Sequence, residues 1–335
     1  MADSQLIQQL LQMTLGNWIT QGIYVAAELG IADMLAEGGP RTAEELAVQT
    51  NSHSASLYRV LRALASVGVF AEDADGRFSL TPLAALLRSE VAGTQRSFAI
   101  MAGAEFYQSW GNLLFSVRTG TQAFQDRFGE TFFDYMTKRP DRHTIYDAAM
   151  AGIHGLETEP VLDAYDFSPF RSVVDVGGGH GLMLASLLNR YPAIKGILFD
   201  LPAVADRARD ALLQAGLDGR CQVVGGDFFT SVPSADAYVL RHVLHDWRDD
   251  EAVAILRSCR EAMNPQGRVL VVETVIPFNN EPCFGKWLDL MMLVVGGRER
   301  TEEQFRRVFS EAGLKLNRVV PTAHEVSVIE GVNAT

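Results

Sequence analysis

The chain has 335 residues, of which 47% are hydrophobic and 21% charged, which is typical of a globular protein large enough for two domains. Its net charge of −12 disfavours binding to nucleic-acid phosphates or to an anionic membrane surface. No apolar run approaches the roughly 20 residues of a membrane span, and the first residues lack a signal-peptide pattern, so we expect a cytoplasmic protein. The scattered Cys221, Cys259 and Cys283 predict free, buried thiols.

Residues 22–90 predict a small helical module with one hairpin. "GIYVAAELGIADML" has helical periodicity, Thr42 is a predicted N-cap before "TAEELA", and "SASLYRVLRALASVG" is an amphipathic helix ending at Gly68. "VFAEDADGRFSLT" predicts two strands joined by an Asp75–Gly76 turn. Three helices followed by a β-hairpin are typical of a winged helix.

The charge of this module argues against the DNA binding that many winged helices perform. Residues 1–100 contain six Arg and no Lys against ten Asp and Glu, and the second helix of the pair carries only Arg59 and Arg62. A DNA reader needs a basic stripe. We therefore predict a winged-helix-like dimerisation domain at 1–95, followed at 96–165 by a helical, aromatic-rich linker that lines a substrate cleft.

From about residue 166 to residue 335 short apolar runs alternate with helical segments. "SVVDVG", "GILFD", "CQVVGGD", "AYVLRHV" and "VLVVETVI" suit strands that are buried on both faces of a parallel sheet. "LKLNRVV" and "EVSVIEG" near the end predict a strand pair with a short connection. The fold class is therefore α/β, a Rossmann-like doubly wound sheet with a terminal antiparallel pair, behind an N-terminal all-α winged-helix domain.

A glycine loop follows the first of these strands in "VVDVGGGHGLM". The dinucleotide fingerprint G-x-G-x-x-G fails in both frames, because Leu182 or Leu184 occupies the position of the third glycine. The pattern that fits is D-x-G-x-G-x-G, formed by Asp175, Gly177, Gly179 and Gly181. A carboxylate at the strand tip would repel a pyrophosphate and suits a ligand with positive charge, such as S-adenosylmethionine (SAM).

The ends of the next two strands carry further acids. Asp200 lies 25 residues after Asp175, roughly where a carboxylate binds ribose hydroxyls in nucleotide-binding βαβ units. Asp227, in "GGDFF", is placed to accept from an adenine amino group, with Phe228 against the ring. Three acids at three successive strand ends predict SAM as the cofactor.

The segment "VLRHVLHDWRDDE" contains His242 and His245. A metal site, a general base and the polar start of a helix are three hypotheses for it. Histidines at i and i+3 share a helix face, but no third ligand with suitable spacing accompanies them, so we expect no metal. His242, like His154 and His180, has a structural role in this interpretation, and Arg248–Glu251 begins the next helix.

These motifs, with "FDLP", "VVETVIP" and "GGRERTEEQFRRVFSEAG", closely resemble SAM-dependent O-methyltransferases of the plant caffeate/flavonoid and bacterial polyketide/phenazine type. The resemblance runs from about residue 20 to the C-terminus. It implies a homodimer formed through the N-terminal halves and a phenolic substrate bound between domains. The implied SAM contacts are Gly177, Asp200, Asp227, Phe228, Arg241 (where plant members often have Lys) and Trp247. The implied catalytic residues are His245 as general base, with Glu273 and Glu299 flanking it.

Methyl transfer to a phenol needs such a base, because a neutral phenol is a poor nucleophile with a pKa of about 10. We therefore predict transfer of the SAM methyl group to a hydroxyl of a small aromatic, polyketide or quinone-like acceptor, with S-adenosylhomocysteine as product. Candidate pocket residues are Phe106, Trp110, Met150, Met291 and Met292. Two alternatives stay open: an enzyme of the same fold that methylates N or C, decarboxylates or hydroxylates, and a winged-helix regulator that senses SAM.

Overall fold

The computed structural model describes residues 4–217 and 219–334. These form two compact units. Unit 1 comprises Met1–Asn112 and Phe133–Ile153, and unit 2 comprises Leu113–Phe132 and His154–Thr335. Residues 96–165, the predicted linker, therefore contribute to both units, and the predicted domain boundaries stay a prediction.

Helices and strands follow one another in nearly the predicted order. In chain order the described helices are α1 (Ser4–Thr14), α2 (Gly16–Glu28), α3 (Ile31–Gly38), α4 (Ala43–Thr50), α5 (Ser54–Ser66), α6 (Pro82–Ala85), α7 (Arg96–Met101), α8 (Tyr107–Trp110), α9 (Leu113–Thr119), α10 (Ala123–Phe128), α11 (Phe132–Thr137), α12 (Pro140–His154), α13 (Thr158–Ala164), α14 (Leu182–Arg190), α15 (Pro202–Gln214), α16 (Asp249–Ala262), α17 (Gly285–Val295) and α18 (Glu302–Glu311). The described strands are β1 (Arg41–Thr42), β2 (Phe70–Glu72), β3 (Arg77–Leu80), β4 (Ser172–Val176), β5 (Lys195–Asp200), β6 (Cys221–Gly225), β7 (Ala235–Arg241), β8 (Met263–Glu273), β9 (Leu314–Pro321) and β10 (Ser327–Asn333).

Unit 1 contains the winged-helix arrangement, with β1, β3 and β2 in one antiparallel sheet. Thr42 caps α4 as predicted: its hydroxyl accepts from the Glu45 N–H, and the Glu45 carboxylate accepts from the Thr42 N–H at 2.8 Å. The helix predicted as continuous through "GIYVAAELGIADML" is divided into α2 and α3, because Gly30 adopts a left-handed conformation with φ of 66°.

Unit 2 is a sheet with strand order β6-β5-β4-β7-β8-β10-β9. The first five strands are parallel, and β10 pairs antiparallel with both β8 and β9. Two apolar clusters surround this sheet: one includes Leu256 and Phe309, and the other includes Leu184 and Leu212. The predicted fold class is therefore confirmed, with an α/β sheet and a terminal antiparallel pair.

Two further expectations concern the cysteines and membranes. Cys221, Cys259 and Cys283 are free thiols, but only Cys259 is buried, so the prediction of burial is wrong for the other two. Within residues 4–217 and 219–334, no helix has both the length and the apolar character that crossing a membrane requires.

Candidate active site

The carboxyl ends of β4 to β8 meet at one edge of the unit 2 sheet, and the chemistry-bearing side chains lie there. The parallel register aligns Asp175 with Leu198 and Asp200 with Gly225, so the ends of β4, β5 and β6 lie side by side. Ligands of open α/β sheets bind at this edge.

The loop after β4 leaves its backbone accessible to a ligand. Gly177, Gly179 and Gly181 all have positive φ, at 68°, 55° and 74°. A Cβ atom on Gly179 would meet no other atom within 4 Å, so there is open space beside this residue. The Asp200 carboxylate accepts from the N–H of Gly179 at 2.9 Å and from the N–H of Leu201 at 2.7 Å, which holds it against the loop.

Asp175 lies beneath the glycine loop. Its side chain is buried, and a Cβ atom on Gly178 would lie only 2.8 Å from its Cγ. Burial raises the pKa of Asp175 to about 6, and the positive charge of Arg241 opposes this. The Arg241 guanidinium donates to the carbonyl of His154 and to Oγ1 of Thr158, at 3.1 and 3.0 Å. Within this chain Arg241 therefore attaches the segment before α13 to the end of β7.

An aromatic cluster follows the ends of β6 and β7. The ring of Trp247 lies edge-on to Phe229, with centroids 4.8 Å apart, and to Phe228 at 5.9 Å. Asp227 is exposed beside them, and one of its oxygens accepts from the Phe229 N–H at 2.9 Å. This places a carboxylate and aromatic rings together, a combination that suits a purine. Phe229 was not singled out from the sequence, although it is the second Phe of "GGDFF".

His245 lies in a short 3₁₀ turn, Leu244–Asp246, between β7 and α16. Its Nδ1 is 2.6 Å from Oε1 of Glu299, and both side chains are buried. Its backbone N–H donates to Oε1 of Glu273 at 3.0 Å. Both predicted acids are therefore beside His245, but only Glu299 contacts the imidazole, whereas Glu273 holds the peptide.

The electrostatics favour a positive charge on His245. Burial acts to lower its pKa, but the nearby carboxylates, chiefly Glu299 and then Asp246, outweigh burial and raise the pKa to about 10. Oδ1 of Asp246 is 3.6 Å from Nε2, beyond hydrogen-bond distance. Burial also raises the pKa of Glu273 to about 7, with His245 opposing the shift. This group of side chains is therefore arranged to stabilise an imidazolium.

The segment after α17 passes very close to the backbone of His245. Gly297 has φ of 93°, and a Cβ atom there would lie 2.0 Å from the His245 carbonyl oxygen. The same carbonyl accepts from the N–H of Arg298 at 2.7 Å. Glycine is required at 297 because any side chain would collide with backbone. The side chain of Arg300, in the same segment, is fully buried, which the sequence pattern does not predict.

His242 is buried beside His245, with the two ring centroids 5.1 Å apart, but it has its own carboxylate partner. It has φ of 53°, its Nε2 is 2.8 Å from Oε2 of Glu157, and its ring stacks on His154 with centroids 4.1 Å apart. Burial lowers the pKa of both His242 and His154 well below the ordinary value. His242 and His245 thus contact different carboxylates, and among the described residues no group of three or more His, Cys, Asp or Glu is arranged to hold a metal ion.

The candidate pocket residues are divided between the units. Phe106 ends a π-helical turn, Ala102–Phe106, and lies in unit 1 with Trp110 and Met150. Met291 and Met292 are buried on α17 in unit 2. Their role in substrate binding stays a prediction.

Comparison with known proteins identifies the family. Residues 110–315 match the O-methyltransferase domain family, and residues 11–90 match the O-methyltransferase dimerisation domain. The chain therefore belongs to the O-methyltransferases. Phenazine O-methyltransferase PhzM of Lysobacter antibioticus is 48% identical over 96% of this chain and 94% of that protein.

Two further relatives add chemical information. An O-methyltransferase from neocarzinostatin biosynthesis, solved with SAM and 2-hydroxy-5-methyl naphthoic acid, is 37% identical over 94% of this chain and 96% of that chain, with a TM-score of 0.84. The 8-amino-8-demethylriboflavin N,N-dimethyltransferase of Streptomyces davaonensis is 38% identical over 96% of this chain and 94% of that protein. The predicted enzyme class, a SAM-dependent O-methyltransferase, and its predicted cofactor are confirmed. The cytoplasmic location stays a prediction.

Proposed function

We propose that the chain transfers the methyl group of SAM to a hydroxyl of a small aromatic natural product, with His245 as the general base. The observation that carries this proposal is the buried contact of 2.6 Å between Nδ1 of His245 and Glu299. A carboxylate on Nδ1 fixes the ring and its tautomer, so Nε2 is the nitrogen that takes the proton of the acceptor.

The edge of the sheet fits SAM on its own geometry. The open space over Gly179 admits a ligand close to the backbone, and the carboxylate of Asp200 at the end of β5 suits ribose hydroxyls. Asp227, with Phe228 and Trp247, suits an adenine ring. When bound, SAM supplies a methyl group that its sulfonium has already activated. The chain has then to bind it, to align the acceptor oxygen and to remove a proton.

His245 has to be neutral before it accepts that proton. With its pKa raised to about 10, the ring favours the imidazolium form at neutral pH. SAM has a net positive charge, from a sulfonium and an ammonium against one carboxylate, and positive charge added to this edge of the sheet lowers the pKa of His245, so the ring releases its proton to solvent. The buried carboxylate of Glu299 then stabilises the imidazolium that forms again as the phenol loses its proton. In this proposal the negative charge of Glu299 raises the pKa of His245 and the positive charge of SAM lowers it, and catalysis depends on both.

The acceptor proposed here is a phenolic compound of one to three rings. Two of the relatives named above act on a phenazine or were solved with a naphthoic acid. In unit 2, Met291 and Met292 on α17 provide thioether side chains of the kind that such rings pack against. A panel of hydroxylated benzoates, naphthoates and phenazines, each assayed with labelled SAM, identifies the class.

A nitrogen acceptor is the second candidate, because the riboflavin-type relative is an N,N-dimethyltransferase by name and is 38% identical. An aromatic amine loses its proton after methyl transfer, so it depends less on a base. Product mass and fragmentation distinguish O-methyl from N-methyl products. Dependence of the rate on His245 favours the hydroxyl acceptor.

We further propose a homodimer formed through unit 1. The helix α1 has no buried residue, yet it carries Leu6, Leu10 and Met13 at 62, 66 and 69% exposure. An amphipathic helix with an uncovered apolar face needs a partner surface, and residues 11–90 match a dimerisation domain.

The decisive experiment replaces the proposed base. We expect His245→Gln to lower kcat by roughly 10²- to 10⁴-fold and to leave the Kd for SAM close to that of the wild type. The matched control is His53→Gln, since His53 is an exposed histidine of unit 1 whose Nδ1 is 3.0 Å from the Ser56 hydroxyl. Wild-type turnover in His245→Gln would refute the base assignment, and loss of SAM binding would show that His245 acts on the cofactor site.

A further inference from the structure

We propose that Arg300 is the positioning residue that joins the catalytic His245 to the cofactor-lining Trp247, by binding the backbone at both ends of the turn that carries them. The inference rests on the proposed function of these two side chains. It deepens that function by adding a residue that contacts neither the acceptor nor SAM.

All three nitrogens of the Arg300 guanidinium donate hydrogen bonds, to two carbonyls at the turn and to the first residue of α16. Nη1 donates to the carbonyl of Leu244 at 2.8 Å, and Nη2 donates to the carbonyl of Trp247 at 2.9 Å. Nε and Nη2 both donate to Oδ1 of Asp249, at 3.1 and 3.0 Å. The planar guanidinium holds its donors at fixed, separated positions, which suits two carbonyls and a carboxylate better than the single nitrogen of a lysine does.

The two carbonyls that Arg300 binds lie next to the side chains of His245 and Trp247 in the chain. The Leu244 carbonyl belongs to the peptide whose N–H, on His245, donates to Glu273. The Trp247 carbonyl belongs to the same residue as the indole that packs against Phe229. A rotation of either peptide moves the adjacent side chain, so Arg300 ties the orientation of the base to the orientation of the indole.

Three consecutive residues, 298–300, contact His245 or the carbonyls beside it. Arg298 donates its N–H to the His245 carbonyl, Glu299 contacts the His245 ring, and Arg300 binds the carbonyls on either side. The segment is itself attached to the sheet, because the Arg300 carbonyl accepts from the N–H of Ile276, just after β8, at 3.0 Å. The base is therefore placed by the sheet through residues 298–300.

The buried charge of Arg300 indicates that the residue orients the backbone of this turn and does not only fill space. Its side chain is fully buried, and its carboxylate partner, Asp249, begins α16. A buried cation is costly unless it is paired and fully hydrogen-bonded. Two of its contacts go to the backbone of a catalytic turn, where an apolar side chain of similar volume could pack but could not orient a peptide.

Two variants and one control test the proposal. Arg300→Lys keeps the positive charge beside Asp249 but cannot span both carbonyls. We expect kcat to fall roughly 100-fold, as for a small misplacement of a reacting group, and the Kd for SAM, measured by calorimetry without turnover, to rise about tenfold. Asp249→Asn removes one anchor of the guanidinium and is expected to shift both quantities in the same direction but less. Arg307→Gln is the control, since Arg307 also pairs with Asp249, at 2.6 Å, from an exposed position.

A double variant separates this inference from the proposed function. If Arg300 acts through His245, adding Arg300→Lys to His245→Gln lowers kcat no further, while the Kd for SAM still rises. Failure of the base assignment is seen separately, as wild-type turnover in His245→Gln alone. Wild-type kcat and Kd in folded Arg300→Lys would overturn the inference. Equal losses in Arg307→Gln, or a full additional loss of kcat in the double variant, would overturn it as well.

Discussion

Replacement of Glu299 by Gln tests the electrostatics of the candidate base most directly. The change keeps the shape of the side chain and one oxygen that can accept from Nδ1, replaces the other oxygen by an NH2 donor, and removes the negative charge 2.6 Å from Nδ1 of His245. A hydrogen bond between charged groups contributes about 1.5–3 kcal/mol, and one pKa unit corresponds to about 1.4 kcal/mol. The pKa of His245, raised to about 10 in the wild type, should therefore fall by roughly one to two units in Glu299→Gln.

Two measurable consequences follow for catalysis. At saturating SAM the pH profile of kcat/KM for the acceptor reports the groups of the SAM-bound enzyme. Activity rises with pH as His245 becomes neutral, so this ascending limb should move to lower pH by about one to two units. The plateau value of kcat should fall roughly 10- to 150-fold, because the same 1.5–3 kcal/mol no longer stabilises the imidazolium that forms in the transition state. The Kd for SAM should change little. Stopped assays over pH 6 to about 10.5, with a fixed saturating SAM concentration, give both quantities.

The control for this experiment is Glu273→Gln. Glu273 contacts the backbone N–H of His245 rather than its ring, and burial raises its own pKa to about 7. We therefore expect Glu273→Gln to move the ascending limb less than Glu299→Gln does. An unmoved limb in Glu299→Gln, or equal shifts in the two variants, would refute the argument that the carboxylate on Nδ1 sets the charge of the base.

Three further outcomes are expected. Gly297→Ala should lower kcat roughly 100-fold and reduce the melting temperature, because its Cβ would lie 2.0 Å from the His245 carbonyl oxygen. In the control, Gly76→Ala, the Cβ meets no atom within 4 Å, so the variant should lose only the left-handed backbone strain of about 1–2 kcal/mol. Equal decreases in melting temperature would contradict the contact at Gly297. Leu10→Lys on α1 should convert a dimer into a species of 36.7 kDa by light scattering, while Gln8→Lys, on the opposite face of the helix, should not. A dimer that survives Leu10→Lys would place the interface elsewhere. The raised pKa of His245 contributes stability that is complete below about pH 6.5 and is lost as the pH rises through about 10, so the melting temperature should fall over this range more steeply in the wild type than in His245→Gln; parallel curves would contradict the assignment.

Much of the fold and the location of the site could be predicted because strong local patterns determine them. Buried parallel strands read as continuous apolar runs, and their carboxyl ends meet at one edge. The acids Asp200 and Asp227 follow such runs directly, so their grouping needs only the strand order. The break at Gly30 was missed, since the apolar periodicity continues across it while φ reverses sign.

The contacts within the site could not be predicted in the same way. Side-chain identity does not reveal whether a carboxylate meets a ring or a peptide, and here Glu299 contacts the imidazole while Glu273 contacts the backbone. Asp175 was expected to face the ligand, and the structure places its carboxylate under Gly178. The burial of Arg300 could not be predicted, because a charged residue in a charged segment ordinarily faces solvent. Its burial arises only when the segment 298–300 packs against the turn of His245.

The placement of His245 on a short turn, rather than within a helix or strand, explains why so many backbone contacts converge on it. A turn lacks a repeating hydrogen-bond ladder, so its N–H and carbonyl groups need partners from elsewhere. Glu273 supplies one for the N–H of His245, Arg298 supplies one for its carbonyl, and Arg300 supplies two for the flanking carbonyls. The same contacts therefore satisfy the hydrogen-bonding groups of the turn and orient the side chain of His245. A change in the 297–300 segment should therefore alter catalysis before it unfolds the sheet, which the paired measurement of kcat and melting temperature in Gly297→Ala and Arg300→Lys examines directly.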